Sequence, residues 1–397
     1  MWLSDFALVL PDRVMPHGSL RIEDGIITDI VEGPVKGGVE GQGMEIFPGF
    51  IDMHGDMIEV ELEPRALVDF PMDVALHHLD MRLAASGVTT AYAAVSFSRG
   101  VRAGERRSFE HTSQVIRDLS KARGQARVDH RIHARFDITF DNAVNVLAGL
   151  LGDGSVDLVS LMDHTPGQGQ YRNLEVHIRN KAAFHGVSET EARQMISTAI
   201  AERSRPQEDL LTNMRTVAQL CRDHGVPLAS HDDDSPDKAN LMADLGAILS
   251  EFPVTKDAAA ACAARGMMIA MGAPNAMRGQ SYSGNLSARE AHAAGLLHIL
   301  AADYHPATIL PAIRILAESN PEGLAGAARL ATANPAKALG LSDRGRIGLG
   351  KRADLAIVAG HHVVASLRGG QLIFSKGLLS FDPHSDAAAF TEPSYSS

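Results

Sequence analysis

IFPGFIDMH, residues 46–54, is the stretch on which the fold turns. An apolar run of strand length stops abruptly at an imidazole, and Gly55 and Asp56 follow. Seven further runs down the chain have the same character. They are VTTAYAAV (88–95), RIHARFDI (131–138), DLVSLMDH (157–164), VPLASHD (226–232), AILSEFP (247–253), MMIAMGAP (267–274) and LLHILAADY (296–304). Helix-patterned segments separate them, among them MDVALHHLDMRLAASG, SETEARQMISTAIAERS and HPATILPAIRILAES. Strands alternating with helices build parallel βαβ units. Eight such units predict a closed (β/α)8 barrel over 47–341. An open doubly wound sheet is the alternative, weakened by the absence of a GxGxxG turn after the first strand.

Outside the barrel, FALVL, SLRIEDG and IITDIVEG near the start read as short strands. RADLAIVAG, HHVVASLRGG and QLIFSKG near the end read the same way. Segments 1–46 and 342–382 are therefore expected to share one small β-sandwich, with 383–397 a loose polar tail. The chain has 397 residues, 45% of them hydrophobic, and a formal net charge of −11. That charge disfavours non-specific nucleic-acid or anionic-membrane partners. It leaves room for an anionic small substrate held by local arginines. No membrane-spanning run and no signal peptide are legible, so a cytoplasmic enzyme is expected. Cys221 and Cys262 read as buried thiols.

Active groups of a (β/α)8 barrel lie at the C-terminal ends of its strands. Here those ends carry His54 and Asp56, Asp137, Asp163 and His164, His231 followed by Asp232–Asp234, and Asp303. Buried polar groups of this kind must be paired or must hold a metal. His54 and Asp56, two apart on an extended segment, share a face. His164, His231 and Asp303 complete a ligand set for two divalent ions, with Asp137 placed to bridge them. Asp141 is an alternative to Asp137, and both could instead cap the following helix. Mixed imidazole and carboxylate donors suit Zn first, with Mn or Fe also suited. Asp303 doubles as the catalytic proton acceptor. Asp232–Asp234 read as supporting groups or caps. His77, His78, His111, His177, His185, His361 and His362 lack strand-end placement and are read as binding nothing.

The PGFIDxH opening resembles the amidohydrolase superfamily, whose first barrel strand ends in HxH. Asp56 here replaces the second His. That departure and the blocks LVSLMDHTPGQGQY, ASHDDD, MGAPNAMRGQSYSGN and GRIGLGKRADL are similar to the phosphonate-metabolism branch of that superfamily. Three positions depart from the branch. Asp137 stands for its usual Glu, Tyr282 for a His, and His305 for a second Tyr. The resemblance implies hydrolysis of the 5-triphosphate of a ribose 1-alkylphosphonate to a 5-phosphate and diphosphate. Such a substrate calls for Arg278 first, then Arg65 and Arg172, with Asn275, Ser283, Asn285 and Tyr304 as further substrate-binding residues. Amide or cyclic-amide hydrolysis, deacetylase-like, is the alternative activity. The expected partner is a small phosphorylated anion, and the expected assembly a homodimer or higher homo-oligomer.

Overall fold

All eight apolar runs are strands in the computed structural model, which describes residues 1–65, 68–97, 109–140, 143–281, 284–377 and 379. The barrel strands are Phe50–Gly55, Val88–Phe97, Asp129–Asp137, Leu158–Met162, Leu228–His231, Leu249–Glu251, Met268–Gly272 and Ile299–Ala301. Each pairs in parallel with the next. The last meets the first through a parallel bridge between Gly55 and Asp303. There the Asp303 amide donates to the His54 carbonyl at 2.9 Å, and the Asp56 amide donates to the Asp303 carbonyl at 2.8 Å.

Period-two alternation sorts the strand residues into two cores. Ile132, Ala134 and Phe136 of the third strand point outward to the helices, in the large cluster with Leu147 and Leu150. The opposite face of that strand carries His133, Arg135 and Asp137. Inside the barrel floor lie Ile51, Met53, Leu158, Ala229, Leu249, Ala270, Ile299 and Ala301. Two residues beyond Ala229, Leu249 and Ala301 come His231, Glu251 and Asp303. The same inward face thus changes from apolar to ionisable in one step along three strands. On the first strand the register slips between Asp52 and Gly55. His54 thereby joins the ionisable layer, its ring 5.0 Å from that of His133 and 5.5 Å from that of His231.

The helix-patterned segments cover the barrel. A helical hairpin, Leu174–His185 and Glu189–Arg203, is inserted between the fourth strand and the helix Gln207–His224. It starts on an Asn173 cap, turns at Gly186 in the left-handed region, and restarts on a Ser188/Glu191 capping box. Its own small core is Ile178, Ala182, Ala192 and Ile196. Both chain ends build a second sheet, as the sequence suggests. Its order runs Gln371–Ser375, His362–Arg368, Leu355–Ala359, Glu45–Pro48, Trp2–Val9, Val14–Glu23, Ile26–Glu32. The strands form one continuous sheet rather than two facing ones. It curls until Ile26 bridges Arg352, enclosing Leu3, Phe6, Leu20, Ile46, Leu355 and Leu367. The segment 383–397 lies outside the described residues. No helix among the described residues is long and apolar enough to cross a membrane.

Asp80 fastens the helix Met72–Ala85 to the third barrel strand. Its carboxylate accepts from the amides of Arg127 and Val128, each at 2.9 Å, and contacts His130 Nε2 at 3.0 Å. Burial opposes its charge, but His130 and the two amides prevail and hold the carboxyl below its usual range. Asp80→Ala strands these buried donors and is expected to cost about 3 kcal/mol in denaturant unfolding. A loss below about 1 kcal/mol would contradict that account. The sign with pH follows from the lowered folded value. The contribution is complete above the unfolded carboxyl value of about 3.9 and disappears as pH falls through the lower folded value.

Candidate metal and phosphate site

Because one face of several strands ends in ionisable groups, the top of the barrel becomes a buried polar layer. His54, His133 and Glu251 form one group of donor atoms, all within 4.8 Å of one another. His164, His231 and Asp232 form a second. Asp56 joins the first group, 3.3 Å from His54 Nε2. Asp303 lines the same cavity as His54, Asp56 and His231. Gly272 opposite keeps its carboxylate room, since a Cβ there would lie 3.1 Å from Asp303 Oδ2.

Of the six ligands expected from sequence, five come together at this layer: His54, Asp56, His164, His231 and Asp303. Asp137 is fully buried but turned aside. Its Oδ1 accepts from the Thr139 amide at 3.0 Å and hydroxyl at 2.7 Å, and Oδ2 lies 3.7 Å from Arg203. It belongs to neither donor group. Asp141 lies outside the described residues. His133, Arg135 and Glu251 are functional candidates that strand-end reasoning missed. His133 and Arg135 occupy interior positions of the third strand, where the signal was the alternation His133–Arg135–Asp137 on one face, whereas Glu251 ends the sixth strand inside the longer apolar run AILSEFP. Asp232 also enters the donor layer. Asp233 and Asp234 support it: Asp233 accepts from the hydroxyls of Ser230 and Ser250, and Asp234 from the Gly169 amide at 2.9 Å.

The donor set fits divalent ions. Both ring nitrogens of His54, Nε2 of His164, Nδ1 of His231, Oδ2 of Asp232 and both oxygens of Glu251 are buried without a hydrogen bond. Unsatisfied buried polar atoms in such numbers are costly unless a ligand completes them. Burial and Arg135 push His164 down to about 3, and burial likewise takes His133 to about 3, so both rings stay neutral with a lone pair to offer. Burial resists charge on His54, yet Glu251 and Asp56 draw it up to about 10. The field at that point therefore favours a cation. Burial likewise resists ionisation of Glu251 and Asp232, which their histidine neighbours nonetheless bring down to about 2. Asp303 is pushed up to about 6, by burial first and then by Asp56.

Arg135 is a fixed cation at the centre of this layer. Its Nη1 donates to Asp56 Oδ1 at 2.8 Å, and its Nη2 lies 3.3 Å from His231 Nε2. Burial opposes ionisation of Asp56, but Arg135 and His54 hold its carboxyl far below the usual range. Above the layer opens a cavity of about 240 Å³. Arg135 forms part of its wall, and Arg278, Asn275, Asn285 and Tyr304 line it as well. Arg278 ends a short helix, Ala273–Arg278, whose last carbonyls are tied down by Arg289 at 2.7 Å each. The Arg278 side chain makes no hydrogen bond or ion pair among the described residues, which leaves it available to a ligand. Arg65 and Arg172 are exposed and do not line this cavity. Ser283 lies outside the described residues.

Three residues on the rim have left-handed backbone: Asp232 (φ 54°), Phe252 (φ 54°) and Asp303 (φ 57°). That conformation costs a non-glycine residue about 1 kcal/mol or more. Each is held by an amide bond to a neighbouring strand, to Glu251, Ala270 and His54 respectively, at 2.8–2.9 Å. Strain so placed is common where side chains must aim at a ligand.

Comparison with known proteins agrees with this architecture. The amidohydrolase family pattern matches residues 46–381. The chain is 36% identical over 362 residues to the alpha-D-ribose 1-methylphosphonate 5-triphosphate diphosphatase of Escherichia coli (strain K12), covering 90% of this chain and 94% of that one. Among solved structures, the N-acetyl-D-glucosamine-6-phosphate deacetylase of Mycobacterium smegmatis matches with a TM-score of 0.63 at 15% identity, over 94% of this chain and 99% of that one. The beta-aspartyl dipeptidase of Fervidobacterium islandicum AW-1 matches at 0.60 and 15%, over 96% and 98%. These two likenesses speak to fold alone. Barrel, donor layer and sequence together place the chain in the amidohydrolase family.

Proposed function

We propose that the protein hydrolyses the 5-triphosphate of a ribose 1-alkylphosphonate, releasing diphosphate and leaving the 5-phosphate. The observation that carries this reading is one cavity combining the buried donor layer with two arginines, Arg135 and Arg278. Amide hydrolysis generates a single oxyanion and needs no such pair. A triphosphate brings several charges that must be neutralised. The 36% identity to the E. coli diphosphatase supports the same substrate class.

Two divalent ions are assigned to the layer, held by His54, Asp56, His133, His164, His231, Asp232, Glu251 and Asp303. Bound there, they supply Lewis acidity toward a phosphoryl oxygen and lower the pKa of water. The chain's own groups do the rest. Arg135 and Arg278 clamp phosphate oxygens from two sides, and Arg278 has the freedom to follow the departing diphosphate. Asp303 takes the proton of the attacking water, which its buried position favours. Glu251, 3.2 Å from His54 Nδ1, supplies the negative charge beside that ring. The assembly expected for this chain is a homodimer or higher homo-oligomer.

The direct test is ³¹P NMR of the metal-reconstituted protein with ribose 1-methylphosphonate 5-triphosphate and with ATP. Diphosphate should appear from the first, and His231→Ala should abolish it. Metal-loaded protein that turns over neither substrate would sink the proposal. Chelation should remove activity and lower the melting temperature, and added Zn or Mn should restore both. Glu251→Gln is expected to weaken metal binding by about tenfold or more in chelator competition. Arg278→Ala should retain full metal content and lose about a hundredfold in kcat/KM. Equal metal loss in both variants would break this division of roles.

A further inference from the structure

A second cavity, of about 270 Å³, adjoins the first on the inserted hairpin. Gln170 lines both. The Tyr171 ring lines the second cavity, 4.2 Å from the ring of His177, and lies 6.2 Å from the ring of His164 in the donor layer. Among the described residues no carboxylate lines this cavity, although the chain carries a net charge of −11. Its polar lining is Lys181, His177, His185, Asn173, Asn180 and Gln170. Val176 and Phe184 add an apolar pad, and Phe184 is 70% exposed.

The cation here, Lys181, lacks a counter-charge among the described residues. Lys181 makes no hydrogen bond or ion pair among the described residues. Glu175, the acid of the same helix, is engaged elsewhere in a two-pronged pair with Arg193, 3.0 Å on each prong. The charges crowd one another instead. Burial and then Arg203 push Lys181 below its usual value, and burial and then Lys181 do the same to His177. An unpaired cation held half-buried near Arg203 costs stability, and an anion placed beside it removes that cost and favours a donating His177.

We propose that this hollow is the subsite for the uncleaved anionic end of the substrate, with Lys181 and His177 as its specificity-determining residues. The inference rests on the triphosphatase reading for its ligand. A phosphonate monoester offers one negative charge beside a methyl group. The hollow offers a cation beside Val176 and Phe184. The triphosphate end then lies over the donor layer and the ribose passes Gln170 and Tyr171. His177 thus acquires a role that its helical position in the sequence did not suggest.

The test compares ribose 1-methylphosphonate 5-triphosphate with ribose 5-triphosphate, which lacks the phosphonate. Lys181→Ala is expected to lower the kcat/KM ratio between the two substrates about tenfold, chiefly through KM. Lys181→Arg should preserve most of the ratio. An unchanged ratio in Lys181→Ala would overturn the assignment. If the wild-type protein hydrolyses neither substrate, the function reading fails separately. The subsite is then decided by calorimetric titration with monoethyl methylphosphonate. Binding to wild type and about tenfold weaker binding to Lys181→Ala supports it. Absence of binding to wild type, or equal binding to both, overturns it.

Discussion

The seam between the first and last barrel strands is the constraint from which the site follows. Asp52 lies inside it with no exposure, its Oδ1 accepting from the His54 amide at 3.1 Å and the Ala302 amide at 2.8 Å. Burial pushes this carboxyl up to about 6 against those two amides. The seam closes the barrel, and the same bonds fix the backbone of His54, Asp56 and Asp303. Closure of the fold and alignment of the donor layer are therefore one event. Were the strands to part here, three of the ligands assigned to the metals would separate with them.

From this seam outward the molecule divides its labour by depth. The floor of the barrel is small and apolar, with alanines at 229, 270 and 301. Above it the ionisable layer excludes water from most of its own donors, which keeps the His133 and His164 rings neutral, while neighbouring histidines keep Glu251 and Asp232 charged against that burial. Above that, the arginines and the amide-bearing rim deal with ligands that arrive from solvent. Each step up raises both polarity and exposure to solvent. Such grading suits a reaction in which positioning and charge neutralisation supply most of the catalysis.

Much of this was readable in the chain. Each barrel strand is an apolar run of strand length, and five of the eight are followed by His or Asp. That terminal punctuation exposed His54, Asp56, His164, His231 and Asp303. It did not expose His133 or Arg135, because a charged residue within a strand looks like ordinary alternation until the barrel shows which face is enclosed, nor Glu251, because the apolar run continues through Phe252 and Pro253 although the strand ends at Glu251. Asp137 illustrates the reverse error of emphasis. Its strand-end position suggested a bridge, whereas Thr139 two residues on offers it both an amide and a hydroxyl. The curl of the terminal sheet was not legible either, since it depends on contacts such as Ile26 with Arg352 between opposite ends of the chain. The left-handed turns at Asp232, Phe252 and Asp303 carry no glycine to announce them.

The inserted hairpin is nearly self-sufficient. It has its own caps, its own small core and its own internal ion pair, and it enters and leaves the barrel between two consecutive strands. Its sequence can therefore drift, or be exchanged for another of similar length, while the barrel keeps its chemistry. On the subsite proposed above, changes confined to this hairpin would alter what is recognised and leave the donor layer untouched. For protein engineering, residues 174–203 form a cassette through which substrate preference becomes separable from turnover.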